Sequence, residues 1–194
     1  NNLKPPAIFL VGEVVKLREQ LQWFDNKPLF GQTIIVTRAR AQASDLTKKL
    51  EALGAKVIEV PAIKIVPAAD YAPLDKGITE LSSYKWLVFT SANGVEYFFE
   101  RLTAAGKDAR ALAGVQLAAI GHATGDAFKA QGLTADLIPS AYKAEELAEA
   151  LADKITAGDK ILIARAKVAR EVLPESLRKI GAVVDVATAY ETVA

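Results

Sequence analysis

The residues of this chain best suited to chemistry are small, hydroxyl-bearing or basic, and they recur at one kind of place. Each group directly follows a short apolar run. Arg38-Ala39-Arg40 follow residues 33–37, and Thr90-Ser91-Ala92-Asn93-Gly94 close and follow residues 86–90. Gly121-His122-Ala123-Thr124 follow residues 116–120, Ser140-Ala141-Tyr142 follow residues 135–139, and Arg165-Ala166-Lys167 follow residues 160–164. If the apolar runs are parallel strands and the next segments are helices, these groups stand at helix N-termini on one sheet edge. There free backbone N–H groups and the positive end of the helix dipole favour anions. Ser91, Thr124 and Ser140 are predicted caps. Asn93 and Gly121 belong to the same rims, and Arg38, Arg40, Arg165 and Lys167 add full positive charge. This is chemistry for a ligand carrying several dispersed carboxylates or phosphates. It names no reaction.

Familiar catalytic arrangements are missing. The single histidine, His122, sits beside a glycine, where a loop or capping role competes with catalysis. The chain has no cysteine, so thiolate zinc sites, disulfides and a cysteine nucleophile drop out. No nucleophile elbow, phosphate-binding glycine loop or dinucleotide fingerprint occurs. Glu145, Glu146 and Glu149 fall on a polar helix face and read as solvated charges. A net charge of +1 gives no field to attract nucleic acid. No apolar run approaches the roughly 20 residues needed to span a bilayer.

The elements that must position these groups are legible as a rhythm. Apolar runs at 33–37, 56–60, 86–90, 116–120, 135–139, 160–164 and 183–190 show no in-and-out alternation, as expected for strands covered on both faces. Between them lie helical stripes: Leu46, Leu50, Leu53; Val95, Phe98, Phe99, Leu102; Leu147, Leu151, Ile155; Val168, Val172, Leu173, Leu177, Ile180. Gly54, Gly132 and Gly181 follow helical segments where a left-handed C-cap is wanted. This pattern predicts α/β architecture with parallel sheets.

Two places interrupt the rhythm. Residues 61–84 carry Pro61, Pro67 and Pro73 and an extra apolar run at 63–66, read as a crossing between domains in which no full helix fits. Residues 22–31 form a second joint, preceded by a predicted strand at 7–11 and a short helix at 14–23. Five predicted strands follow the crossing and only two precede it. The first domain is therefore expected to be interrupted by the second and to be incomplete in this chain. With no methionine at all, the chain also reads as derived from a longer protein. An incomplete sheet exposes strand edges, so dimerisation or strand exchange is an expected behaviour.

Beyond this point the reading rests on resemblance. Thr90-Ser91-Ala92-Asn93-Gly94-Val95 resembles the Thr-Ser-x-x-Gly/Ala-Val element of uroporphyrinogen-III synthases. Ala119-Ile120-Gly121-His122-Ala123-Thr124 resembles their Ile-Gly-x-x-Thr element. Residues 166–174 with Leu177 and Gly181 are similar to their Leu-Pro-x-x-Leu-x-x-Gly stretch, Tyr190-Glu191-Thr192 to their Tyr-x-Thr return strand, and Val36-Thr37-Arg38 to their opening strand. Residues 5–27 resemble instead the end of uroporphyrinogen-III C-methyltransferase, without its S-adenosylmethionine loops.

The resemblance implies two flavodoxin-like parallel-sheet domains joined by a two-stranded linker, the second inserted in the first. It divides the chain into a methyltransferase tail and linker (residues 1–28), the first part of domain 1 (29–67), domain 2 (68–187) and a return strand (188–194). It implies a cofactor-free, cytoplasmic enzyme that cyclises a linear tetrapyrrole, hydroxymethylbilane, with inversion of the last ring and loss of water. Hydroxymethylbilane synthase is an implied upstream partner. Tyr190 is the implied general acid, against a packing tyrosine with a local hydrogen bond. Ser91, Asn93, Gly121, Thr124, Ser140, Arg38, Arg165 and Lys167 are the implied substrate contacts. A non-catalytic two-domain module that closes on an oxyanion or sugar stays open beside it.

Overall fold

The computed structural model describes residues 4–38 and 40–194; for residues 40–43 it describes the backbone only. Ala39 and the side chain of Arg40 therefore lie outside the described residues. The chain divides into two compact units, residues 1–64 with Ala194, and residues 65–193.

In the first unit, β1 (Thr33–Val36) and β2 (Lys56–Glu59) pair in parallel, joined by helix α2 (Arg40–Ala52). Gly54, at φ 94°, ends that helix in the left-handed conformation that glycine adopts without strain. A short 3-10 helix, Glu13–Leu17, runs into α1, Arg18–Leu21. The strand expected at residues 7–11 does not form. Ile8 and Val11 are 89% and 92% exposed, and no described strand pairs with them. An apolar run becomes a strand only where a neighbour accepts its backbone bonds.

The second unit holds a five-stranded sheet in the order β3-β7-β6-β4-β5. Its strands are β3 (Lys64–Pro67), β4 (Trp86–Phe89), β5 (Gln116–Ala119), β6 (Lys160–Ala166) and β7 (Val183–Val193). Pairs β4–β5, β4–β6 and β6–β7 are parallel. Helices α3 (Ala72–Thr79), α4 (Ala92–Ala104) and α5 (His122–Ala130) send Leu74, Ile78, Phe98, Leu102 and Phe128 into one core with Leu87, Phe89 and Leu162. Helices α6 (Ala144–Ala152) and α7 (Val172–Lys179) send Leu147, Leu151, Leu173 and Leu177 into a second core with Trp86, Val88, Ile161 and Ile163. Alternate residues of β4 and of the middle of β6 go to opposite cores, so these central stretches are apolar without interruption.

Two elements differ from the expectation. The segment at 135–139 is reduced to one parallel bridge, Leu137 to Ala118. The Asp136 carboxylate takes the Leu117 N–H at 2.7 Å, and Pro139 has no N–H to give. A full helix, α3, does fit between residues 61 and 84. Pro73 lies in its first turn, where a missing N–H costs nothing. The apolar run at 63–66 falls largely within β3, so it is a strand of this sheet.

The amino edge of the sheet is held by polar ties. The Asp159 carboxylate accepts from Lys85 Nζ at 2.7 Å and from the Thr156 N–H at 2.7 Å. Lys85, then Thr156, hold this carboxyl below its ordinary value. A depressed folded value means that the unfolded chain binds more protons, so this contribution is present above the ordinary carboxylate value of about 3.9 and is lost as pH falls below it. Urea unfolding at stepped pH should therefore show D159N losing less stability on acidification than the parent. Parallel pH profiles for the two proteins would contradict the assignment.

Candidate functional site

In an open parallel sheet, ligands bind beyond the carboxyl ends of the strands, where successive connections leave in opposite directions. Here β4 connects outward to its neighbour β5, and the chain then returns past β4 to place β6 on the other side. The switch point lies between β4 and β6. Its rim is formed by Thr90-Ser91 after β4 and by Arg165-Ala166 at the end of β6.

Ser91 is in extended conformation, φ −164° and ψ 155°, and its Oγ accepts the Gly94 N–H at 3.0 Å, capping α4. The same oxygen lies 3.0 Å from the Tyr190 hydroxyl, and either can donate. S91A should cost about 1 kcal/mol of unfolding free energy, the usual value of an N-cap, while S91T should keep most of it. Denaturant unfolding of the two variants checks this.

Tyr190 reaches Ser91 because β7 is bulged. Arg165 pairs with Thr188, but Ala166 pairs with Tyr190, so one extra residue, Ala189, stands in β7. Before the bulge the strand alternates, with Val184 and Val186 toward α6 and α7 and Ala187 toward α4. Unbroken alternation would send Tyr190 with Val184 and Val186. The bulge puts Ala189 and Tyr190 both on the α4 side, re-aiming the side chain. There the tyrosine is 7% exposed and its ring stacks on Tyr97, centroids 5.9 Å apart and planes at 21°.

The strand is tied down at the tyrosine and just after it as well. The Tyr190 carbonyl accepts the Lys167 N–H at 3.0 Å. Glu191 accepts the Ala69 N–H at 2.9 Å and Lys167 Nζ at 3.1 Å. These bonds, Ala69 first, hold the Glu191 carboxyl below its ordinary value. Lys167 is thus exposed yet engaged with Glu191.

Arg165 faces the other side of the same edge. It is 7% exposed, donates to the Arg170 carbonyl at 2.8 Å and is ion-paired with Glu171. Beside it lies a cavity of about 120 Å³, lined by Thr90, Ile120, Ile163, Arg165, Leu173 and Pro174 among others. The sequence suggested an open cationic rim. The structure places this guanidinium against the loop leading into α7.

The remaining predicted positions are spread along the rim. Gly121 caps α5, and a side chain there would meet the Tyr142 ring at 2.7 Å. Thr124 is not a cap. It is the third residue of α5, within its first turn, and is 3% exposed, its N–H donating to the Gly121 carbonyl at 3.1 Å. Ser140 is an exposed bend residue and caps nothing, because Lys143 occupies the N-cap of α6. Asn93 is half-buried in the first turn of α4, and His122 is exposed at the start of α5, its ring edge-on to Tyr142. Arg38 follows β1 in the first unit and is exposed. No group of three or more His, Cys, Asp or Glu among the described residues could hold a metal ion.

Sequence reasoning missed Tyr97, Glu171 and Glu191 as parts of this edge. Tyr97 sits beside the apolar stripe of α4 and carries no motif of its own. Glu191 is the unspecified position of the Tyr-x-Thr element, and Glu171 precedes a helix stripe as an ordinary charge.

The second unit is thus a doubly wound α/β domain with a hydroxyl pair near its switch point. A family model described as uroporphyrinogen-III synthase HemD matches residues 44–194. The chain belongs to the uroporphyrinogen-III synthase family. It is 36% identical over 190 residues to the porphyrin biosynthesis protein HemD of Ruminiclostridium josui, a match covering 98% of this chain and 38% of that protein. It is 37% identical over 168 residues to the uroporphyrinogen-III synthase of Synechococcus elongatus, covering 86% of this chain and 63% of that one. A crystal structure of a mutant uroporphyrinogen III synthase from Thermus thermophilus shares the fold, with a TM-score of 0.62 at 17% identity over 84% of this chain and 63% of that one. The chain therefore spans 38% to 63% of those relatives' lengths.

Proposed function

We propose that this chain carries the acid-bearing part of a uroporphyrinogen-III synthase active site, and that the protein closes hydroxymethylbilane to uroporphyrinogen III. The observation that supports this most directly is the Tyr190 hydroxyl, 3.0 Å from Ser91 Oγ beside a sheet switch point, in a chain of this family.

The reaction begins when the C–O bond to the terminal hydroxyl breaks. Tyr190 gives its proton to the departing oxygen, and water leaves. The substituted carbon of the last pyrrole attacks the resulting azafulvene to form a spiro intermediate. That intermediate fragments, and the free α-carbon of the inverted ring attacks to close the macrocycle. Rearomatisation releases one proton, which restores the phenol, so only water is lost overall. Ser91, tied to the start of α4, can donate to the phenolate oxygen as charge develops on it.

Unassisted closure proceeds without inversion, to the type I isomer. The protein's task is therefore to hold a flexible polycarboxylate in the geometry of the strained attack. Ser91, Asn93, Gly121, Thr124, Ser140, Arg165 and Lys167 are the proposed carboxylate contacts in the second unit, and Arg38 in the first. No cofactor enters this scheme. Residues 1–28 are proposed to be the tail of a fused methyltransferase, and the enzyme that makes hydroxymethylbilane is the proposed upstream partner. Among the described residues no helix is long and apolar enough to cross a membrane, and the proposed setting is the cytoplasm. The isomer composition of the product tests the proposal.

A further inference from the structure

Resting on the reading of Tyr190 as the acid, we propose that Tyr97 is the positioning residue that keeps the Tyr190 hydroxyl on Ser91. The backbone of Tyr190 is fixed by other groups: the bulge sets which face its side chain takes, and Lys167 and Glu191 pin the strand at the tyrosine and just after it. None of these restrains rotation of the side chain. Two contacts do. One is the hydrogen bond to Ser91 at its tip. The other is the near-parallel ring of Tyr97 along its face. A lone hydroxyl bond contributes about 1 kcal/mol, too little to hold one rotamer once substrate groups compete for the same hydroxyl. An offset stacked pair adds about 0.5–1.5 kcal/mol and acts on the ring, so it persists while the tip exchanges partners.

Tyr97 is suited to this and not to proton transfer. Burial first, then Glu100, Tyr71 and Glu96, hold its phenol above the ordinary value, which makes it a poorer acid. It projects from α4, the helix that Ser91 caps, so platform and hydroxyl partner move as one body. Behind it, the Arg101 guanidinium lies 4.6 Å from the Tyr71 ring centre and pairs with Asp75 through both carboxylate oxygens, linking α4 to α3.

The test uses the full-length protein with tyrosines labelled at the carbon bearing the hydroxyl, and the variants Y97F, Y97A and Y190F. The Tyr190 resonance is identified by its loss in Y190F. Tyr97→Phe keeps the stack, and should leave that resonance in place and kcat within about twofold. Tyr97→Ala should shift or split the resonance and lower kcat roughly tenfold, as expected for a misplaced reacting group, with KM nearly unchanged. An unmoved resonance in Y97A, or a kcat equal to the parent's, overturns the proposal. If Y190F itself turns over at the parent rate, the acid reading falls and the catalytic role of Tyr97 falls with it. The resonance in Y97A then still decides whether Tyr97 orients the ring.

Discussion

Replacing Tyr190 by Phe is expected to lower the rate of type III product formation by about 10²- to 10⁴-fold, the range for losing a positioned general acid. The change is small in structure. The ring keeps its stack on Tyr97, and Ser91 Oγ keeps the Gly94 N–H. Only one hydrogen bond disappears, worth about 1 kcal/mol of stability. The loss should fall on kcat with KM little changed, because proton donation is strongest in the transition state. Substrate that escapes the slowed enzyme should close by itself to the type I isomer, so the isomer ratio reports the defect even where the total rate is hard to measure. A Y190F protein that forms type III at the parent rate would leave Tyr190 as a packing residue.

Phe89→Ala is expected to give the largest stability loss, about 3–5 kcal/mol. Phe89 is fully buried at the end of β4 and meets Phe98 and Phe128 edge-to-face, each with centroids 5.3 Å apart. Those partners come from α4 and α5, so this one ring joins the strand to both helices on its face. Truncation leaves a cavity that three elements cannot collapse into together. Against a typical domain stability of about 5–15 kcal/mol, this is a large share. Chemical denaturation followed through the buried indole of Trp86, on the same strand, measures it. A loss below about 1 kcal/mol would mean that the site relaxes freely, which dense packing does not predict. F89L, which keeps more of the volume, should cost less.

The sheet of the second unit was legible because its strands are covered on both faces, and runs such as Trp86-Leu87-Val88-Phe89 cannot hide that. The cap at Ser91 was legible because a hydroxyl before a helical stripe has a local job. Pairing was harder to read. Ile8-Phe9-Leu10-Val11 is as apolar as any real strand here, yet sequence does not show whether a neighbour exists. Asp136 and Pro139 did carry a local signal against a full strand at 135–139, visible only once the use of each backbone donor is asked.

The bulge at Ala189 left no mark, since nothing in Ala187-Thr188-Ala189-Tyr190 distinguishes a continuous strand from one with an extra residue. Yet that single residue decides which face Tyr190 occupies. Tyr97 escaped for a related reason: its partner lies across a helix–strand contact that only the fold creates. Arg165 was legible as a cation, but its burial against Glu171 depends on how the following loop turns back.

The most direct test is to incubate the full-length protein with hydroxymethylbilane, oxidise the products and separate the type I and type III isomers. The account predicts type III in large excess over a buffer control. Isomers in the same ratio as in buffer would contradict it, and would favour a binding module that closes on an oxyanion without turning it over.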